Sequence, residues 1–371
     1  STTGGLGAAG LYTLSNSNQY VAPVQTEFTF MKTGYYGQAS LDYGKFLFLE
    51  GTLRKDKSTA LPNTNNVYNY FSVGSSFLLS EFIKKDWLDL AKLRVSYAEV
   101  GNDPTVGTPG SAINNGVING NALYGTSTTF IDFPKLKPEL QKSWEYGIEG
   151  SFFKNRLNLE FSWYQSNTVN QLFRVPQSTA TGYSTSFINA GEVENKGIEL
   201  VLTGSPIRTK DFEWQVAVNW ARNRNKLVSL DGGRTNLQLA SFQSGITLNA
   251  TVGEPYGTIK GTDYVYDSNG NKIVGEDGNY LQSDTNDKVI GNIQPDWIGG
   301  ISNKFIYKNF ALNFLIDIKK GGSVFSLDQG YGQDTGLYPE TAGTNDLGNP
   351  VRNTLADGGG YINSGVMENP A

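Results

Sequence analysis

Ser143–Gln165 reads SWEYGIEGSFFKNRLNLEFSWYQ. In its first arm Trp144, Tyr146, Ile148 and Phe152 share one parity, and Ser143, Glu145, Glu149 and Ser151 take the other. In its second arm Leu157, Leu159, Phe161 and Trp163 alternate with Asn158, Glu160, Ser162 and Tyr164. Period-2 alternation marks strands with one apolar and one polar face. Two arms of about ten residues around Lys154-Asn155 predict a long hairpin closed by a two-residue turn. Strands of globular proteins run about 5–6 residues, whereas about 9–11 tilted residues cross a bilayer core. The stretch therefore predicts a transmembrane β-barrel hairpin.

The pattern recurs along the chain. Alternating runs occupy 35–43 and 45–54 around Gly44-Lys45, then 70–79, 92–100, 196–203, 212–222, 297–307 and 310–318, the last pair around Lys308-Asn309. Short connections fall at 44–45, 154–155, 205–211 and 308–309, and long polar ones at 55–69, 101–142, 166–195 and 223–296. The segment SEFIKKDWLDLA (80–91) is an outlier that reads as one or two helical turns. Tight turns on one side and long loops on the other are what an antiparallel membrane barrel requires, and a soluble domain has no reason for so long an irregular segment as 223–296. The expected organisation is a loop and strand end over 1–34, a partial barrel of about ten strands over 35–325 and an extracellular loop over 326–371. The fold class is all-β, an antiparallel transmembrane β-barrel with short periplasmic turns and long extracellular loops.

Composition agrees and excludes much else. Hydrophobic residues make up 38% of the 371, and mean hydropathy is −0.36. No stretch approaches the roughly 18 apolar residues of a membrane helix, which suits a barrel because only alternate residues face lipid. The chain has no Cys and no His, which removes thiol catalysis, Ser-His triads and ordinary zinc or haem sites. A net charge of −5 without a basic run argues against nucleic acid as a partner. No enzyme, cofactor or metal site is expected.

Candidate residues follow from parity. Glu145, Glu149, Glu160 and Glu199 fall on the polar side and are assigned to a wet lumen. Trp144, Trp163, Trp220 and Trp297 fall on the apolar side beside long loops, with Trp214 near the short-turn end, the placement of lipid-interface anchors. In the 166–195 segment Phe173, Tyr183 and Phe187 are candidates for stacking on substrate or packing on a partner, with loop self-packing as the alternative. Asn189–Gly197 (NAGEVENKG) reads as a glycine-permitted bulge that sets register, in preference to a substrate-contacting loop. Asp267-Ser268-Asn269-Gly270-Asn271 opens like a calcium loop. Lys272 stands where glycine is needed and no Glu follows at the twelfth position, so an Asn-Gly turn is favoured. Glu276, Asp277, Asp284 and Asp287 nearby keep a looser ion site open.

Several stretches resemble one family. These are FLFLEGTLRKDKST (46–59), YFSVGSSFLLSEFIKKDWLDLAKLRVSYAEVGND (70–103), LKPELQKSWEYGIEGSFFKNRLNLEFSWYQ (136–165), INAGEVENKGIEL (188–200) and VIGNIQPDWIGGISNKFIYKNFALNFLIDIKKGGSVF (289–325). In order and spacing they resemble the SusC/RagA-type TonB-dependent outer-membrane transporters of Bacteroidetes. The resemblance implies a plugged 22-stranded barrel in the outer membrane of a Gram-negative bacterium. It also implies import of oligosaccharides or peptides, driven by TonB through the plug, with a SusD-like surface lipoprotein capturing the substrate. Plug and closing strands are missing from the family pattern here, so an incomplete internal or C-terminal barrel part is expected. The alternatives are a passive porin or barrel scaffold, and a secreted sugar-binding β-sandwich or adhesin.

Overall fold

The computed structural model describes residues 10, 30–104, 114–118, 121–125, 129–131, 135–176, 185–345 and 347–360. The chain divides into two compact units, Ser1–Met31 and Lys32–Ala371. Of the first, Gly10, Phe30 and Met31 are described, and all the described strands belong to the second.

Most of the alternating runs form strands longer than their sequence limits, while 297–307 keeps its bounds. In chain order the first four are β1 (Lys32–Tyr43), β2 (Leu47–Ser58), β3 (Val67–Leu78) and β4 (Leu88–Asn102). Three short strands come next, β5 (Asn114–Ile118), β6 (Asn121–Gly125) and β7 (Thr129–Ile131). The long strands resume with β8 (Glu139–Phe152), β9 (Leu157–Pro176), β10 (Thr185–Arg208) and β11 (Phe212–Leu230). A smaller group comprises β12 (Asn236–Ser241), β13 (Thr247–Thr251), β14 (Thr258–Gly261) and β15 (Lys288–Asn292), before β16 (Trp297–Tyr307) and β17 (Phe310–Lys320). The main sheet runs β1-β2-β3-β4-β8-β9-β10-β11-β16-β17, with β7 parallel to β10 off the path. Each consecutive pair on the path is antiparallel. Among the described residues no helix is long and apolar enough to cross a membrane.

Register carries the parity across the whole sheet. Phe161 opposes Ile148 on one side and Leu200 on the other, Ile148 opposes Leu93, and Leu202 opposes Leu159 and Val218. A one-residue slip in any pair would mix the faces, so these pairings make one continuous apolar face and one polar face. The apolar face stays open: Leu53 is 63% exposed and Leu312 61%. No second sheet covers it among the described residues, which departs from the sandwich alternative, where such a face is the core.

The turns show where short-range reading failed. Gly44 and Lys45 both take positive φ (61° and 64°), and Phe46 N–H donates to Tyr43 O at 3.2 Å, but Tyr43 pairs with Leu47, so Phe46 is an added residue and the loop has three residues where two were expected. Lys154-Asn155 is instead the middle of a four-residue loop, with Phe152 opposite Leu157. Phe153, Lys154 and Asn155 all have φ near +60° (57°, 59° and 60°). Left-handed geometry costs about 1–2 kcal/mol at an ordinary residue, and tertiary hydrogen bonds hold it here. Phe153 N–H donates to Trp87 O at 2.9 Å, and Asn155 N–H donates to Asp89 Oδ2 at 2.9 Å. The 80–91 segment keeps a single 3₁₀ turn, Leu79–Glu81, and Phe82 packs edge-on against Phe46 at 4.9 Å.

The expected loops 166–195 and 223–296 are corrected most. Strands β9 and β10 have 20 and 24 residues, and β10 is roughly 80 Å long at about 3.3 Å per residue. They run far past what a bilayer requires. Residues 231–296 are not irregular: β12-β13-β14-β15 form a second sheet, and Tyr264–Gln282 pairs with itself through isolated bridges. Beyond β17 the only α-helix among the described residues is α1 (Leu327–Thr335).

Candidate functional site

The polar face is organised around two cations on β4. Lys92 Nζ bonds both oxygens of Glu149 at 3.1 and 3.0 Å. Arg94 fans its guanidinium over three carboxylates: Glu145 at 3.1 Å, Glu160 at 3.1 Å and Glu149 at 3.5 Å, and it donates to Ser162 Oγ at 2.7 Å. Glu145, Glu149 and Glu160, placed together by parity, meet through Arg94, whereas Glu199 stands exposed on β10 outside that network. Arg94 reaches its partners by lying across Gly147, where a Cβ would collide with the Arg94 side chain. Gly147→Ala is therefore expected to displace Arg94 and cost about 1–3 kcal/mol, as core overpacking does. A urea titration of the variant against an Arg94→Met control checks this, because the two losses should not add.

Four of the tryptophans sit near one level of the apolar face. Trp144, Trp163 and Trp220 are not at strand ends, because β8, β9 and β11 continue beyond them, whereas Trp297 is the first residue of β16. Tyr97, Trp144, Tyr146 and Trp163 form a chain of ring contacts with centroids 4.9, 6.3 and 5.5 Å apart. Trp220 lies opposite Gly299, two residues from Trp297 on β16. Trp214, near the opposite end, stacks on Phe305 at 5.7 Å and donates its indole N–H to Asn303 Oδ1 at 3.1 Å.

A cleft of about 1020 Å³ opens where β9, β10 and β11 rise past the tryptophan level, and its lining includes Asn65, Lys137, Asn170, Asn189, Glu192 and Leu230. Its base is a double irregularity. On β9 Val169 and Asn170 face the single residue Glu192, and on β10 the register shifts again between Asn189 and Gly191. Asn170 carries φ +55°, the left-handed value that a bulge asks of Gly or Asn. A Cβ at Gly191 would lie 2.9 Å from both the Phe173 ring and Ser229 O, so close backbone approach demands glycine. The NAGEVENKG stretch thus carries bulges and also forms one side of the cleft.

The bulge decides the fate of Phe173. Before it, even-numbered Thr168 pairs with Val193; after it, odd-numbered Gln171 pairs with Gly191, so the inward parity of β9 reverses. Phe173 is a strand residue, not a loop residue, and is 3% exposed beneath the cleft, packed with Val175, Val193, Leu227, Leu237 and Ala250. It offers no free ring for stacking. Tyr183 lies outside the described residues, and of Phe187 the described part is its backbone in β10, opposite Arg174. Residues that no sequence motif singles out do the holding: Asn189 of β10 binds irregular Lys137, Asn65 joins its turn to Leu136, and Glu139 ties the start of β8 to β9. The only signal for them is the cluster of polar residues within a strongly patterned stretch.

At the same end of the sheet, Asp56 is 0% exposed and accepts from Arg54 Nε at 2.8 Å and Tyr70 Oη at 2.8 Å, with Lys32 Nζ at 3.6 Å. Lys32 also pairs with Asp103 at 3.3 Å, and Tyr68 donates to Asp103. Burial raises the Tyr68 phenol above its usual range, and the Asp103 hydrogen bond adds to it. Asp267 spends its carboxylate on the turn, accepting from the backbone N–H groups of Asn269 and Asn271 at 2.9 and 2.7 Å. Those bonds hold it below the usual carboxylate range. Among the described residues no three acidic side chains converge as a metal site would need.

The family model described as TonB dependent receptor-like, beta-barrel, matches residues 2–288. Among curated proteins the chain is similar to TonB-dependent receptor P3 of Formosa agariphila, 29% identical over 321 residues that cover 78% of this chain and 32% of that protein. It is also similar to TonB-dependent receptor SusC of Bacteroides thetaiotaomicron, 26% identical over 361 residues, 90% of this chain and 36% of that one. Among solved structures the RagAB peptide transporter superposes with a TM-score of 0.71 at 21% identity, covering 83% of this chain and 35% of that one, which is a likeness of fold. The chain thus spans about a third of the length of the curated relatives it matches.

Proposed function

This chain belongs to the TonB-dependent receptor-like β-barrel family, and on that premise we propose that it is part of the wall of an outer-membrane importer of nutrients. The observation that carries the reading is a ten-strand antiparallel path with one open apolar face, one charged face and a roomy cleft at its long-loop end. In this reading the apolar face meets lipid, with Trp144, Trp163, Trp220 and Trp297 at the outer interface and Trp214 at the inner one. The face bearing Glu145, Glu149, Glu160 and Glu199 lines the aqueous interior. Import is active, driven by TonB through a plug, and a SusD-like surface lipoprotein covers the long-loop end and hands over oligosaccharides or peptides. The chain works by binding and passage and carries out no chemistry on its cargo.

Uptake by cells carrying the full-length gene tests this. Nutrient accumulation against a gradient should disappear on deleting TonB or collapsing the proton gradient, and affinity purification should recover a surface lipoprotein. Uptake that persists without TonB and stops at equilibrium would make the protein a passive pore, the reading that an open, charged inner face also permits.

A further inference from the structure

One wall of the cleft is not made by a sheet. Residues 135–138 cross its side between the described parts of β7 and β8, and the side chains of Asn65 and Asn189 hold the backbone of Leu136 and Lys137. Asn189 holds Lys137 at both backbone groups: Lys137 N–H donates to Asn189 Oδ1 at 2.8 Å, and Asn189 Nδ2 donates to Lys137 O at 2.9 Å. The same Nδ2 donates to Asn170 O at 2.7 Å, at the left-handed bulge residue. Asn65 Nδ2 reaches Leu136 O at 3.0 Å, and Leu136 is buried against Leu61 and Tyr68. At the far end Glu139 accepts from Leu172 N–H at 2.8 Å and Asn102 Nδ2 at 3.1 Å.

We propose that Asn189 is the positioning residue of the cleft: its amide pairs with Lys137 as a neighbouring strand would, clamping 135–138 as a detachable wall that sets the width of the cleft. A strand edge fixes a segment through a ladder of bonds and releases it cooperatively. A single amide making two bonds to one residue fixes register with far less to break. Neutral side-chain hydrogen bonds each shift an equilibrium by roughly 2- to 10-fold, so the clamp is strong enough to hold the wall and weak enough to let it open without unfolding the sheet. Asn is needed because the clamp both accepts from an N–H and donates to two carbonyls, and no carboxylate can do both. The inference rests on the importer reading for its purpose, since the wall matters only if the cleft receives cargo.

The test is trypsin cleavage of the full-length protein in detergent after the exposed Lys135, at the Lys135–Leu136 bond; the Lys137–Pro138 bond is not a trypsin site. Asn189→Ala should speed that cleavage at least 10-fold at pH 8 while leaving the thermal midpoint within about 5 °C. Asn189→Asp should be faster still, because its carboxylate faces the carbonyls of Lys137 and Asn170. A spin label on Lys137→Cys reports the same opening across pH. In the Asn189→Asp background it should be mobile at pH 8 and regain order by about pH 3, below the ordinary aspartate value of about 3.9, where a protonated carboxyl can donate again; with Asn189 intact it should not change. Unchanged cleavage in both variants, alongside faster cleavage in Leu136→Ser, would overturn the clamp and leave burial of Leu136 as what holds the wall. Equal label mobility at both pH values would overturn it too. Neither result bears on TonB-dependent uptake, which fails or succeeds in its own assay.

Discussion

Leu202→Arg should destabilise the inserted protein by about 2–4 kcal/mol, the depth-dependent cost of a cation facing lipid near the midplane. Leu202 lies between Leu159 and Val218 on the apolar face, between the levels of Trp214 and Trp220 and nearer the second. Its sequence neighbour Val201 points the other way, between Glu160 and Asn219 on the polar face. Val201→Arg places the same charge next to a carboxylate and water, so its expected cost is under about 1 kcal/mol. The two variants share propensity, side-chain size and position along the strand. Only the medium each face meets differs. Urea titration of the protein folded into vesicles measures both, and equal costs would show that the apolar face does not contact lipid.

The second large effect concerns Asp56. By its position in β2 it lies at the far end from the Gly44-Lys45 turn, and its outward neighbour Lys55 marks where the strand has left the hydrocarbon. Burial pushes the Asp56 carboxyl up, but the hydrogen bonds from Arg54 and Tyr70, with the charges of Arg54 and Lys32, outweigh it and hold the group below 3.8. Asp56→Ala leaves two cations and a phenol facing an empty site, and about 2–4 kcal/mol is expected, moderated because Arg54 and Lys32 keep partial access to water. Tyr70→Phe removes one neutral donor and should cost about 1–2 kcal/mol. The sign of the pH dependence is set by the same shift. A carboxyl with a depressed folded value contributes stability that is complete well above 3.8 and is lost as pH falls through that lower folded value. Wild type should therefore lose protection at β1 on acidification, and Asp56→Asn should not. Hydrogen exchange at 32–36 and 54–58 reads this locally, because β1 has a neighbour on one side only among the described residues.

Local pattern made much of this legible. Alternation through Trp144–Phe152 and Leu157–Trp163 is a property of each strand alone, and it sorted Glu145, Glu149 and Glu160 from the aromatic residues before any pairing was known. The four-residue loop at Phe153–Arg156 was hidden because Lys154-Asn155 and Lys308-Asn309 are the same dipeptide, and contacts with Trp87 and Asp89 choose between their turns. The extensions of β9 and β10 were hidden because their polar, Gly-bearing sequence has low strand propensity and is held by pairing and by the sheet β12–β15 packed against it.

The sequence by itself determined the two faces of the wall, the alternation of short and long connections and the absence of thiol and imidazole chemistry, because each is set by residue type and near neighbours. Only the tertiary structure decided that Phe173 is buried, that Arg94 gathers three carboxylates and that Asn189 holds a wall of the cleft. Each of these depends on partners more than 15 residues away or on one extra residue at Val169–Asn170 that reverses a strand's parity. A period-2 pattern carries no record of such an insertion until the neighbouring strand supplies the register.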